Sequence, residues 1–387
     1  MQHNRLQYGI DCLLQQNLYK QQRLALVTND AALTAGSGLL NRVALQQQGF
    51  RLQKLFAPEH GINTKGEDGV AQPGGTDALT GLPVISLYGT QLAPSATDLA
   101  DVDYVLFDIP DVGCRYYTYL WTLTHVMEAC AAQQKPLLVL DRPNPITAVL
   151  EKAEGPFLNE EHCASFLGRW NIPLKHSCTL AELARYFAAT RLPKLQLQCI
   201  PMQGYQRHWL AGEHFAFQAT SPAISSVTSA LFYPGTGLLE GVNVHEGRLT
   251  PAPFAQLGAP WLNAPALKEL LDAADLPGLH CSTMQYSART APYAGQTCNG
   301  LQLHCSDPDS FMAVATGFRI LQLLAQLHPQ HLQQRLYPTA ANPGGQNHLS
   351  RLTGVPDTFE KIKQGHLFQL QVAADWKKEI APYLLYN

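Results

Sequence analysis

No run of about 18 apolar residues occurs in this chain, so a membrane-spanning helix is not expected. The start, MQHNRLQYGIDCLL, has neither the apolar core nor the small-residue cleavage site of a secretory signal. A cytoplasmic protein is therefore expected, or an exported one if the N-terminus is incomplete. The cysteines 12, 114, 130, 163, 178, 199, 281, 298 and 305 are odd in number, scattered, and form no C-x-x-C pair. Buried reduced thiols acting as small hydrophobes are therefore expected. Strong charge is also missing: the formal net charge is −3 with dispersed lysines and arginines, so neither nucleic acid nor a membrane surface is an expected partner. The first strand-to-helix turn, TNDAALTAGSG, lacks the dinucleotide glycine fingerprint, and Gly235 to Gly241 misses it by one residue. There is no phosphate-loop lysine motif and no G-x-S-x-G elbow. The run from His245 to Leu249 begins like a zinc-protease helix but has leucine where the second histidine belongs. No cofactor and no metal are expected.

What is present is a chain of 387 residues, 46% hydrophobic and 15% charged, long enough for two domains. Its first half alternates apolar β-type runs with helix-like segments, the rhythm of a parallel α/β sheet. Strands are expected at 23–29, 52–57, 83–88, 102–109, 136–140 and 195–201. Helices are expected at 39–48, after Ser95 and Thr97, at 117–132, and after Thr179, where Glu182 completes a capping box. From about Ser221 the rhythm breaks into a Gly- and Pro-punctuated stretch to Trp261, which reads as loop-rich surface or as a functional lid and wall. Beyond it, NAPALKELLDAAD and SFMAVATGFRILQLLAQL read as helices, LQLHCSD as a strand, and the tail from Thr358 as two short closing helices.

The strands of the first half end on polar groups. The first ends in Thr28, Asn29 and Asp30, and the second in Glu59 and His60. The fourth runs through Asp108 to Asp111 and Arg115, and the fifth into Asp141, Arg142 and Asn144. In a parallel sheet these ends share one rim, where ligands of open α/β folds bind. Any one such group is explained by a cap or a turn, but four together point to a site. Paired carboxylates, arginines and nearby tyrosines such as Tyr117 suit a sugar site, and by themselves support a hydrolase or binder of a polar small ligand, anionic or neutral.

The segments LVTND, FAPEHG, TGLPVISLYG, FDIPDVGCRYYTY, VLDRPNPI and YPGTGLLEGVNVHEGRLTPAPFAQLGAPW resemble, in order, motifs of the exo-acting β-N-acetylmuramidases of the NamZ type. The resemblance implies a Rossmann-like parallel-sheet domain with a smaller mixed α/β C-terminal domain and the active cleft between them. We place these at 1–215 and 216–387. It also implies release of N-acetylmuramic acid from the non-reducing ends of peptidoglycan fragments, in cell-wall turnover and recycling. The glutamate of P-E-H-G, Glu59, is then the catalytic residue. The D-V-G-x-R, D-R-P-N-P and E-G-x-N motifs fall on Asp111 to Arg115, Asp141 to Pro145, and Glu240 to Asn243. Departures from the family pattern stand at Pro110, Cys114, Ser177, Cys178, Val242 and Leu249.

The catalytic expectations are Glu59 as general acid, tuned by His60, with Glu246, Asp111 or Glu240 as second carboxylate, or the sugar's own acetamido group in its place. Arg115, Arg142 and Arg248 are the candidates for the lactyl carboxylate. For Arg142 the competing reading is a structural pair with Asp141. Asn29, Tyr117, Asp141, Asn144, His176, Glu240 and Asn243 complete the expected substrate-binding set. The alternatives are a non-catalytic binder of muropeptides or amino sugars, and a nucleotide-dependent sugar-modifying enzyme, which the missing glycine fingerprint weakens. The sequence carries no sign of oligomeric state.

Overall fold

The computed structural model describes residues 6–387, so the first five residues of the stretch read for an export signal lie outside the described residues. The first half builds strands β1 (Arg23–Val27), β2 (Arg51–Ala57), β3 (Gly75–Thr76), β4 (Pro83–Ser86), β5 (Tyr104–Phe107), β6 (Leu137–Leu140), β7 (Glu154–Phe157), β8 (Pro173–Lys175) and β9 (Leu197–Ile200). Seven of these form one sheet in the order β3-β4-β2-β1-β5-β6-β9, and β7 and β8 pair separately. Only the two-residue edge strand β3 runs antiparallel. Taken in chain order, the six parallel strands have the 3-2-1-4-5-6 arrangement of dinucleotide-binding folds.

All four residues of β6 and four of the five in β1 are buried, as expected of strands covered on both faces. Register then sets the rim. Val27 lies level with Phe56 on one side and Phe107 on the other, so β1, β2 and β5 end together. The residues that follow, Thr28, Glu59 and Asp108, emerge along one edge. The expected capping box of Thr179 with Glu182 forms, and Ser95 caps its short helix in a further box with Asp98.

The second half contains an antiparallel sheet of β10 (Gln256–Ala259), β11 (Leu279–Ser287) and β12 (Thr297–Cys305), in the order β10-β12-β11. Its edge strand β11 went unread in the sequence because it is mostly exposed and lacks an apolar run. The punctuated stretch from Ser221 is not surface loop. It holds a buried helix, Val227–Thr236, with Pro234 inside it, followed by the 3-10 turn Gly237–Gly241. That helix crosses the helix Ala313–Leu327 at backbone contact. A Cβ on Gly235 would lie 1.9 Å from the Ala313 carbonyl oxygen, and one on Gly317 would lie 2.2 Å from the Gly235 carbonyl. The glycines that looked like loop punctuation are a packing requirement.

One hydrophobic core runs from Ala25 to Ile380, through both halves. The tail returns to the first half, where the indole of buried Trp376 donates to the His176 carbonyl at 2.8 Å. Among the described residues no helix is long and apolar enough to cross a membrane.

Candidate active site

The chain leaves β2 through Pro58 into a tight turn in which His60 and Gly61 both take left-handed backbone angles, φ 67° and 72°. Such a conformation is uncommon for a non-glycine residue. Here His60 is held by its own loop: Nδ1 faces the Gly66 carbonyl at 2.9 Å, and the Gly66 N–H donates to the His60 carbonyl at 3.0 Å. Because a carbonyl only accepts, Nδ1 carries the proton.

Glu59 precedes this turn and is buried. Its Oε1 accepts the Gly69 N–H at 2.9 Å, and its Oε2 accepts the Thr118 hydroxyl at 2.7 Å. Thr118 stands at the N-cap of the helix Tyr119–Ala132 but caps nothing, which frees its hydroxyl for Glu59. Gly69 is needed at its place. Its φ is 71°, and a Cβ there would come within 2.8 Å of the Thr339 side chain.

The neighbour that sequence reasoning missed is Asp68, in the same Gly-rich loop. One carboxylate oxygen each from Glu59 and Asp68 and one ring nitrogen of His60 lie within 4.8 Å of one another. The two carboxyls are driven in opposite directions. Burial pushes Glu59 above its ordinary value, and the Asp68 charge adds to that, against the pull of His60, Thr118 and Gly69. Burial would raise Asp68 too, but Arg248, His60 and the Tyr337 hydroxyl outweigh it and hold Asp68 below its ordinary value. The Tyr337 hydroxyl donates to Asp68 at 2.5 Å, and Arg248 approaches at 3.4 Å. The result is one carboxyl held above its ordinary range beside one held below it. Both Glu59 oxygens and His60 Nδ1 are already bonded within the protein, which leaves the trio poorly furnished as ligands for an ion.

The cleft around this pair draws on both halves of the chain. From the first come Glu59, His60, Asp68, Tyr88, Tyr117 and Thr118; from the second come Tyr233, Glu240, Arg248, Tyr337, His348 and Arg351, among others. The halves are stitched at the site itself, by Tyr337 to Asp68 and by the Ala340 N–H donating to the Gly69 carbonyl at 2.7 Å. The stretch after Ser221 therefore forms a wall of the cleft.

Of the residues expected from sequence, Glu59, His60, Tyr117, Glu240 and Arg248 come together here. The others do not line this cleft. Arg115 is fully buried and donates to the carbonyls of Pro156, Ile172 and Leu352 at 2.7, 3.0 and 3.1 Å, a clamp between distant segments. Arg142 pairs with Asp108 at 2.5 Å, not with Asp141. Asp141 accepts the Tyr386 hydroxyl at 2.6 Å and the Ala181 N–H at 3.1 Å, and burial pushes it up to about 7. Asn144 folds its own turn, accepting the Ile146 N–H, and donates to the Cys178 carbonyl. Asp111 and His176 meet at 3.2 Å away from the cleft. Asn29 accepts the Ala31 N–H, and Asn243 ties the chain at Gln333 and His331. Glu246 is buried at 3.0 Å from Arg248, behind the wall rather than in it.

Three comparisons place the chain among known proteins. The family model for the N-terminal domain of the exo-β-N-acetylmuramidase NamZ matches residues 24–228, and that for its C-terminal domain matches 231–386. The chain is 36% identical over 334 residues to the peptidoglycan β-N-acetylmuramidase NamZ of Bacillus subtilis strain 168, spanning 85% of this chain and 80% of that one. Crystal structures of two DUF1343 family proteins from Bacteroides fragilis align over 99% of both chains. Their TM-scores are 0.88 and 0.74, at 27% and 23% identity, and the second likeness speaks to the fold alone.

Proposed function

The chain belongs to the NamZ family of exo-β-N-acetylmuramidases, and on that premise we propose how its cleft cleaves the glycosidic bond of a terminal N-acetylmuramic acid residue. The activity is that of a glycosidase acting on sugar chains derived from peptidoglycan, as in the Bacillus subtilis relative. The non-catalytic alternative is not favoured, since that relative is an enzyme.

The observation that carries the mechanism is the pair of neighbouring carboxyls, Glu59 and Asp68, whose surroundings push their proton affinities in opposite directions. Glycoside cleavage needs a proton for the leaving oxygen and negative charge near C1 as positive charge develops there. Glu59 holds the proton, and Asp68 holds the charge. As the C1–O bond breaks, the Glu59 proton moves to the leaving oxygen. When water adds at C1, its surplus proton returns to Glu59. His60 positions this pair by fixing the loop between its two members.

The spacing favours one stereochemical class. Oxygens within 4.8 Å suit the roughly 5 Å separation of retaining enzymes better than the roughly 6.5–9.5 Å that leaves room for a water between the carboxyls. Attack by Asp68, or by the sugar's acetamido oxygen with Asp68 stabilising the acetamido group, would each retain configuration at C1. The test is to incubate the protein with an N-acetylmuramyl-β-1,4-N-acetylglucosamine disaccharide and follow the products by proton NMR. Free N-acetylmuramic acid appearing first as the β-anomer is expected. An α-anomer appearing first would remove Asp68 from this role, and no release at all would remove the reading.

A further inference from the structure

The cleft contains two arginines in opposite circumstances. Arg248 is consumed by the protein. It contacts Glu240, lies 3.0 Å from Glu246 and 3.4 Å from Asp68, and stacks 5.3 Å from the centre of the Phe254 ring. Three carboxylates around one guanidinium leave it no surplus charge for a ligand.

Arg351 differs. It lies on the short helix His348–Thr353, three residues after His348, so the two side chains share one face. His348 points into the cleft, with Nε2 3.5 Å from Glu240 and its ring stacked on Tyr337. The rotation of the helix is fixed from behind, because Leu349 and Leu352 are buried and the Leu349 backbone lies against Gly241. Arg351 is half-buried in the cleft wall, and among the described residues no carboxylate comes within salt-bridge distance of it. Nearby in the same cleft, the amide nitrogen of Asn342 is buried without an acceptor.

A cleft lined by Asp68 and Glu240 repels an anion unless a cation is kept for it. Of the two arginines among the described residues of the cleft, Arg351 is the one not spent on the protein. A guanidinium offers a planar fork that matches a carboxylate, and pairing in a half-buried wall is stronger than in water. We infer that Arg351 receives the lactyl carboxylate of the sugar in the cleft, with Asn342 donating to a second substrate oxygen, and that this contact selects a muramide over an N-acetylglucosaminide. The inference rests on the muramidase reading and names the residue that gives it its sugar specificity.

The experiment compares wild type, Arg351→Ala and Arg351→Lys on 4-nitrophenyl β-N-acetylmuramide and on its analogue with the lactyl carboxylate replaced by a carboxamide. A lost charge-assisted bond should lower kcat/KM on the muramide about 10- to 100-fold in Arg351→Ala, mostly through KM. Arg351→Lys should recover part of the loss, and the carboxamide should be cleaved alike by all three proteins. Equal losses on both substrates, or none on the muramide, would overturn the assignment. Failure of the wild type to turn over the muramide would instead strike the hydrolase reading. Calorimetry with N-acetylmuramic acid and its lactyl amide would then still decide the matter: wild type should prefer the acid and Arg351→Ala should not, and equal preference in both would refute it.

Discussion

Glu59→Gln separates proton donation from everything else Glu59 does. The side chain receives one bond at each oxygen, from the Gly69 N–H and from the Thr118 hydroxyl. Glutamine can keep both. Its carbonyl takes the Gly69 N–H, and its amide donates to the Thr118 oxygen, because a hydroxyl rotates from donor to acceptor. The fold should therefore change in stability by no more than about 1 kcal/mol, the net worth of one such bond. The substitution also removes a pH effect. A carboxyl whose folded value is raised favours the folded state while protonated, so stability falls as pH rises from the ordinary carboxylate range through the folded value. That decline should flatten in the variant. Catalysis should not survive so well. Losing a general acid typically costs about 10² to 10⁴ in rate, or ~2.7 to 5.4 kcal/mol of barrier, when the leaving group needs its proton. The assay is kcat/KM on the natural disaccharide beside kcat/KM on a dinitrophenyl muramide, whose phenolate leaves unaided. A large loss on the first and about tenfold or less on the second is expected. Equal losses on both, or a rate loss matched by a fall in unfolding midpoint, would refute the assignment of Glu59 as the acid.

Two further substitutions test the surrounding argument. Asp68→Asn removes the charge that helps keep the proton on Glu59 and leaves Arg248 less neutralised, so the alkaline fall of kcat/KM on the disaccharide should move to lower pH. A pH profile unmoved or shifted upward would break the coupling we describe. Arg115→Met strips three buried carbonyls of their donor, and at about 1 kcal/mol or more each it should lower stability by at least ~3 kcal/mol in urea unfolding. The fraction that stays folded should keep its KM within about twofold, which a substrate-binding arginine would not allow.

The fold was legible where burial is two-sided. Short, flanked apolar runs such as RLALV and PLLVL read as interior strands, and their recurrence pointed to the parallel sheet of the first half. The second half was less legible for a physical reason. In the helix Val227–Thr236, Gly235 sits where any side chain would clash and Pro234 stands inside the helix, so a helix built on close backbone approach reads as loop. An exposed edge strand such as β11 writes almost no apolar signal at all.

The site was legible only in part, and the arginines show why. Sequence places Arg115 and Arg142 at strand ends, where a ligand-binding cation and a structural one look alike. What distinguishes them is whether the protein has already satisfied the guanidinium, and that is settled by partners far away in the chain: Asp108 for Arg142, and Leu352, 237 residues on, for Arg115. A buried cation must be paired, so arginines deep in an α/β scaffold are usually spoken for by carboxylates or carbonyls. The cation left for a ligand is then the one at the rim with no carboxylate partner among the described residues, and in this chain it stands on a short helix with no motif to mark it. Asp68 is the same case in negative charge. It lies nine residues after Glu59 in a loop that reads as glycine-rich filler, and beside His60 it is Tyr337 and Arg248, brought from the other half, that hold its carboxyl low while that of Glu59 is raised. The acid is written in one strand end, whereas its partner exists only once the two halves have closed on each other.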